Sequence, residues 1–119
     1  MKIKTRKEAI NSSVTNQNSD VYLTITIGNA QIGGNVIRWK GSSNILAKGE
    51  ISNLNLGKGS TIVGKTLEIF TNILDVNPMT NGVVATYYFH NATAPSVTFD
   101  DTVNNHGDVF SLELDVTFN

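Results

Sequence analysis

The chain contains no cysteine, which rules out disulfide staples, thiolate metal sites and a cysteine nucleophile. Proline is nearly missing, with two in 119 residues, and there is a single tryptophan. No stretch approaches the roughly 18 continuous apolar residues of a membrane helix. The first apolar run, residues 21–27, is interrupted by Thr24 and Thr26. The early bases Lys2, Lys4, Arg6 and Lys7 have no such run behind them, so no cleavable secretory signal is expected. The chain therefore reads as soluble and cytoplasmic, or as exported by a route without a cleavable signal peptide.

Positive charge is missing from the whole second half. Residues 1–65 hold all nine Lys and Arg against three acids, a balance of +6, whereas residues 66–119 hold seven acids and no base, a balance of −7. Net charge is only −1, which selects neither nucleic acid nor a membrane surface. Two arrangements follow from the asymmetry. Basic and acidic strands lie side by side and neutralise one another, or the two signs form opposite poles that drive head-to-tail association.

What is present is strand chemistry. Val, Ile and Thr outnumber the strong helix formers, and Gly, Asn and Asp punctuate the chain at short intervals. Val21, Leu23, Ile25 and Ile27 alternate with Tyr22, Thr24 and Thr26, a period of two. Ile37 and Trp39 oppose Val36, Arg38 and Lys40, after a turn signal at Gly33-Gly34. Residues 45–51, 54–56 and 62–71 supply weaker patterns. Residues 83–90 and 97–100 add two more strands, separated by a loop around Pro95. The clearest segment is the last, with Phe110, Leu112, Leu114, Val116 and Phe118 on one side. Seven or eight short strands of this kind predict an all-β fold, an antiparallel β-sandwich with a small barrel as the alternative. Residues 1–20 have few apolar anchors and read as a flexible basic and polar arm, leaving residues 21–119 as one domain. Within the arm, residues 1–6 alternate weakly, Ile3 against Lys2 and Lys4, a pattern open to a short edge strand.

One motif matches its pattern letter for letter. Gly59 to Thr66 spells the phosphate-cradling GxxxxGK[ST]. That chemistry needs a helix after the loop, whose N-terminal amides face the phosphates. The β-branched Ile62 and Val63, the lack of βαβ crossovers and the absence of later positive charge argue against it.

Other candidates rest on residue type. Asp100, Asp101, Asn105 and Asp108 gather oxygen donors in a nine-residue loop and could offer a calcium site. A solvated hairpin loop has the same composition. Tyr22, Trp39 and Tyr88 are aromatic residues flanked by polar ones, the composition of a carbohydrate platform. Arg38-Trp39-Lys40 with Lys48, Lys58 and Lys65 would suit a nucleic-acid groove, but the acidic second half opposes it. His90 and His106 are the only side chains with ordinary titration near neutrality. No strained nucleophile of the GxSxG kind accompanies them, so the chain does not read as an enzyme.

The leading expectation is thus a non-catalytic structural or assembly module. It would bind itself or protein partners through charged faces and an arm carrying Lys2, Lys4, Arg6 and Lys7. The alternative is a glycan-binding module, calcium-assisted or free of any cofactor.

Overall fold

The computed structural model of the chain describes residues 1–93 and 95–119. Its strands are β1 (Ile3–Ser12), β2 (Asp20–Ile27), β3 (Ile32–Trp39), β4 (Ala47–Gly49), β5 (Leu54–Lys58), β6 (Thr66–Leu74), β7 (Gly82–His90), β8 (Ser96–Thr102) and β9 (Val109–Phe118). One short helical turn, α1 (Gly59–Ile62), joins β5 to β6. The strands form a five-stranded sheet in the order β1-β9-β6-β3-β4 and a four-stranded sheet in the order β5-β2-β7-β8. The two pack face to face as a sandwich and do not close into a barrel. No helix among the described residues is long and apolar enough to cross a membrane.

Alternation explains the packing. In β9 the residues Phe110, Leu112, Leu114, Val116 and Phe118 are all buried, and those between them are not. Leu67, Ile69 and Ile73 of β6 join them, and Val21, Leu23, Val83, Ala85, Tyr87 and Phe89 of the other sheet face them. Phe118 sits at the seam, edge-on to Trp39 at 6.1 Å and to Phe89 at 5.9 Å between ring centroids. A buried polar chain crosses the same interior. Thr71 Oγ1 donates to Asn35 Oδ1 at 2.7 Å and lies 2.7 Å from the Tyr87 hydroxyl. A hydroxyl has one proton, so Tyr87 donates to Thr71. Burial raises the Tyr87 pKa to about 12.

Three expectations differ from what the fold contains. The segment expected to be a flexible arm forms β1 over residues 3–12, parallel to β9 through ten paired positions. Its inward side chains include Lys4, Arg6 and Glu8, so it lacks the apolar alternation that marks a central strand. Main-chain pairing holds an edge strand without that signal. Residues 13–19 are tethered as well, with the Val14 amide donating to Asn119 O and the Thr15 amide to Asn91 O.

Gly33-Gly34 lies inside β3 rather than at a turn. A side chain at Gly33 would meet Ile27 Cγ1 at 2.9 Å and Asn72 O at 3.0 Å, so a close approach requires that glycine. The turn falls at Asn29 and Ala30, both at positive φ. The strand expected over residues 45–51 shrinks to β4, where Gly49 adopts a positive φ. The GxxxxGK[ST] segment, argued against as a phosphate loop on its sequence, curls through α1 and leads into strand β6. No long helix offers its amides to a phosphate there. Gly59 is small for another reason: residues 14–17 cross over it, and a Cβ would lie 2.5 Å from Val14 Cγ1.

Candidate functional site

The charge asymmetry of the sequence is resolved by sheet order. In the five-stranded sheet the acidic strands β9 and β6 lie between the basic strands β1 and β3. Lys7 pairs with Glu113 at 3.0 Å, Arg38 with Glu68 at 3.5 Å, and Lys40 with Asp115 at 3.5 Å. Glu113 holds the Lys7 ammonium above its ordinary pKa range, chiefly through that hydrogen bond. Arg38 also lies over the Phe70 ring, 5.4 Å from its centroid.

A second ionic group closes the β1–β8 side of the sandwich. Asp101 of β8 accepts from Lys4 at 2.7 Å and from Arg6 at 3.2 Å, and Arg6 in turn reaches Glu8 at 2.7 Å. The Lys4 hydrogen bond is the largest influence holding the Asp101 carboxyl below its ordinary range. Arg6 lies over Phe99, 5.3 Å from the ring centroid. Inward-pointing charge on the edge strand is a known protection against edge-to-edge pairing. Three of the four basic residues expected to reach a partner, Lys4, Arg6 and Lys7, are therefore paired within the chain. Lys2 is exposed, and its backbone amide donates to Asp108 Oδ1 at 2.9 Å.

The proposed calcium donors do not converge. Asp101 points to Lys4 and Arg6, and Asp100 is exposed on the outer face of β8. Asp108 is buried, accepting from the backbone amides of Lys2 and Asn105. Those amides pull its carboxyl below the ordinary range, Lys2 first. Among the described residues no group of three or more His, Asp or Glu side chains is placed to hold a metal ion.

The three aromatic candidates separate. Trp39 lies in the five-stranded sheet, half-buried against Phe118, with Lys65 Nζ 5.6 Å from its ring centroid. Tyr22 and Tyr88 come together on the outer face of the four-stranded sheet. Tyr22 pairs with His90, and Thr24 with Tyr88, across β2 and β7. The Tyr22 and His90 rings stand 6.1 Å apart at 53°. Tyr88 is 45% exposed. Around them lie Thr26, Thr86 and Thr98 in one row, with Ser96 beside Tyr88 and Asn55 beside Tyr22. These rows hold no Lys, Arg, Asp or Glu. The β2–β5 register shifts between Val21 and Tyr22, leaving Leu56 of β5 without a partner in β2. His106 sits in the exposed loop before β9, away from His90.

Single-residue reasoning missed one further feature. Ile3 pairs with Val109, Val109 with Leu74, and Leu74 with Ile32. Four aliphatic residues thus form a row across the outer face of the five-stranded sheet. Ile3 is 60% and Ile32 62% exposed, and Leu74 is also exposed. The next row, Thr5, Ser111, Asn72 and Gly34, is low. It forms shallow depressions of about 290 Å³ over Thr5, Ser111 and Asn72 and about 400 Å³ over Gly34 and Lys48. The sequence spreads the aliphatic row over four distant segments, so only the pairing register reveals it.

No family model, curated protein or solved structure matches this chain.

Proposed function

We propose that this protein is a non-catalytic assembly module that associates with a second copy of itself through the outer face of its five-stranded sheet. The observation that carries the reading is the exposed row Ile3–Val109–Leu74–Ile32. It spans three strand spacings, about 14 Å. Contiguous apolar surface of this kind on a small domain marks a contact site more often than a chance exposure.

The second copy is favoured by self-complementarity. A two-fold axis laid along the row sets each aliphatic residue against its own counterpart. The same rotation carries the charged rows of the two copies to opposite sides, so no like charges are brought together. It also places the loop after β6, with the exposed Met79, over the partner's low row at Thr5, Ser111, Asn72 and Gly34. The association is thus apolar rather than ionic, because the charges once expected to drive it are paired within each chain.

Light scattering after gel filtration tests this at low and at ~0.5 M salt, where exposed ionic attraction is largely screened. A dimer mass at both salts is expected, with Ile32→Asp and Leu74→Asp each returning a monomer. A dimer that dissociates in salt would transfer the role to the charges. A monomer at roughly 1 mM chain in both buffers would overturn the proposal.

A further inference from the structure

The face of the four-stranded sheet takes no part in that association, yet it has the chemistry of a ligand surface. We propose that the Tyr22–His90–Tyr88 face binds a neutral oligosaccharide.

Three observations support it together. First, the register places Tyr22 directly beside His90 and diagonally from Tyr88, giving a cluster of rings on one face. The apolar C–H face of a pyranose packs on such rings, while their polar tips stay in reach of its hydroxyls. Second, the rings stand in a field of neutral hydrogen-bonding groups: Thr24, Thr26, Thr86, Ser96, Thr98 and Asn55. A hydroxyl can both donate and accept, which matches the dual character of a sugar hydroxyl. The Thr86 and Thr98 hydroxyls lie 3.2 Å apart, fixed across β7 and β8. Thr24 Oγ1 accepts from the Asn53 amide at 2.9 Å, which fixes the edge of the field near β5.

Third, charge selects the class of occupant. The opposite face of the molecule holds Lys7, Arg38, Lys40, Glu68, Glu113 and Asp115, whereas the three central rows of this face hold no charged side chain. Asp20 and Lys58 flank these rows at one end and Asp100 at the other, but within the rows an acidic sugar or a phosphate would find no cation to offset the loss of its hydration. A purely apolar ligand would strand the hydroxyls without water. A neutral polyhydroxylated chain meets both conditions.

The face is open, so one sugar ring gains little contact and affinity accumulates over consecutive rings. Dissociation constants on the order of 0.1–1 mM are expected for a hexasaccharide. Trp39, the strongest stacking residue in the chain, does not contribute, since Lys65 covers its ring in the other sheet.

The test is an NMR titration of the full isotope-labelled chain with cellohexaose, mannohexaose and xylohexaose, and with the hexamer of galacturonate as the charged control. Saturable shifts centred on Tyr22, Tyr88 and His90 are expected with at least one neutral hexaose, and none with the acidic one. Tyr88→Ala and Tyr22→Ala should each weaken binding about tenfold, as loss of an aromatic anchor does. Both residues lie on an outer face, and unchanged shifts in the core residues of β6 and β9 would show the fold intact. A second variant, Thr98→Lys, keeps both rings and should bring the acidic hexamer into binding. Four results would each overturn the proposal: no shifts with any neutral hexaose up to ~10 mM, equal binding of the acidic hexamer by the native chain, shifts centred on Trp39 and Lys65, or binding unchanged by Tyr88→Ala. None of them touches the association proposal, which rests on the opposite face.

Discussion

The outer face of the five-stranded sheet and the outer face of the four-stranded sheet cover one shared interior. The first carries both signs of charge, paired strand to strand, and an aliphatic row at one end. The second carries hydroxyls, amides and three rings, with no charge across its centre. Inward positions are constrained alike in both sheets, because each must exclude water from the same core. Outward positions are free of that demand. The contrast between the two faces therefore lies in positions that core packing leaves free.

The two sheets share one core, and the largest expected effect follows from their unfolding together. Phe118 contacts Trp39 in its own sheet and Phe89 in the other. Phe118→Ala should cost about 3–5 kcal/mol in urea unfolding, with both sheets lost in a single transition. Two separate transitions would mean that the faces belong to independent units.

The next effect lies in the buried link between them. Tyr87 has a folded pKa of about 12 against an ordinary 10. A raised pKa on a group that is neutral when protonated means that this contribution is intact below pH 10 and is lost as pH rises from 10 towards 12. The loss by pH 12 should be roughly 2–3 kcal/mol. Tyr87→Phe should remove that dependence and cost about 1 kcal/mol at neutral pH. Alkaline titration of the lysines is common to both proteins, so the difference between their pH profiles isolates Tyr87. Identical slopes would refute the inter-sheet role of its hydroxyl.

A smaller effect is expected at the β1–β8 edge. Asp101 is held below the ordinary carboxylate range, first by Lys4. Its contribution is present above the unfolded value near 3.8 and fades as pH falls through the lower folded one. Asp101→Asn should cost about 0.5–1 kcal/mol at neutral pH and raise amide exchange across β1 more than elsewhere.

The smallest effects separate the faces themselves. Glu113→Gln on the charged face should cost about 0.2–1 kcal/mol at low salt and nearly nothing at ~1 M. Thr98→Val on the hydroxyl face should stay within about 0.5 kcal/mol at either salt. Equal salt dependence for the two would erase the distinction.

Much of the architecture was legible because alternation is a local signal. Residues 109–118 announce their buried side through every second residue, and β2 and β7 do nearly as well. β1 was legible only as a weak alternation over residues 1–6, since an edge strand needs only half its backbone paired and has no apolar face to declare its full length. Gly33-Gly34 misled for a related reason: glycine serves both a turn and a close approach, and only the neighbouring Ile27 and Asn72 tell which. Of the three aromatic candidates, Tyr22 and Tyr88 share a face because β2 pairs with β7. Trp39 is excluded because β3 belongs to the other sheet. The oxygen-rich loop after Asp100 looked like a cation site by composition, but its carboxylates are spent on Lys4, Arg6 and backbone amides.

By itself the sequence determined that the chain is all-β, which residues of β2, β7 and β9 turn inward, and that no cysteine chemistry is available. Those properties depend on residue type and on a period of two, both local. The tertiary structure alone decided that the basic and acidic halves interleave instead of forming poles, that four scattered aliphatic residues line up, and that two tyrosines and a histidine share one face. Each of these depends on which strand lies beside which and in what register. That choice is made by the whole core at once, and no single segment of the chain encodes it.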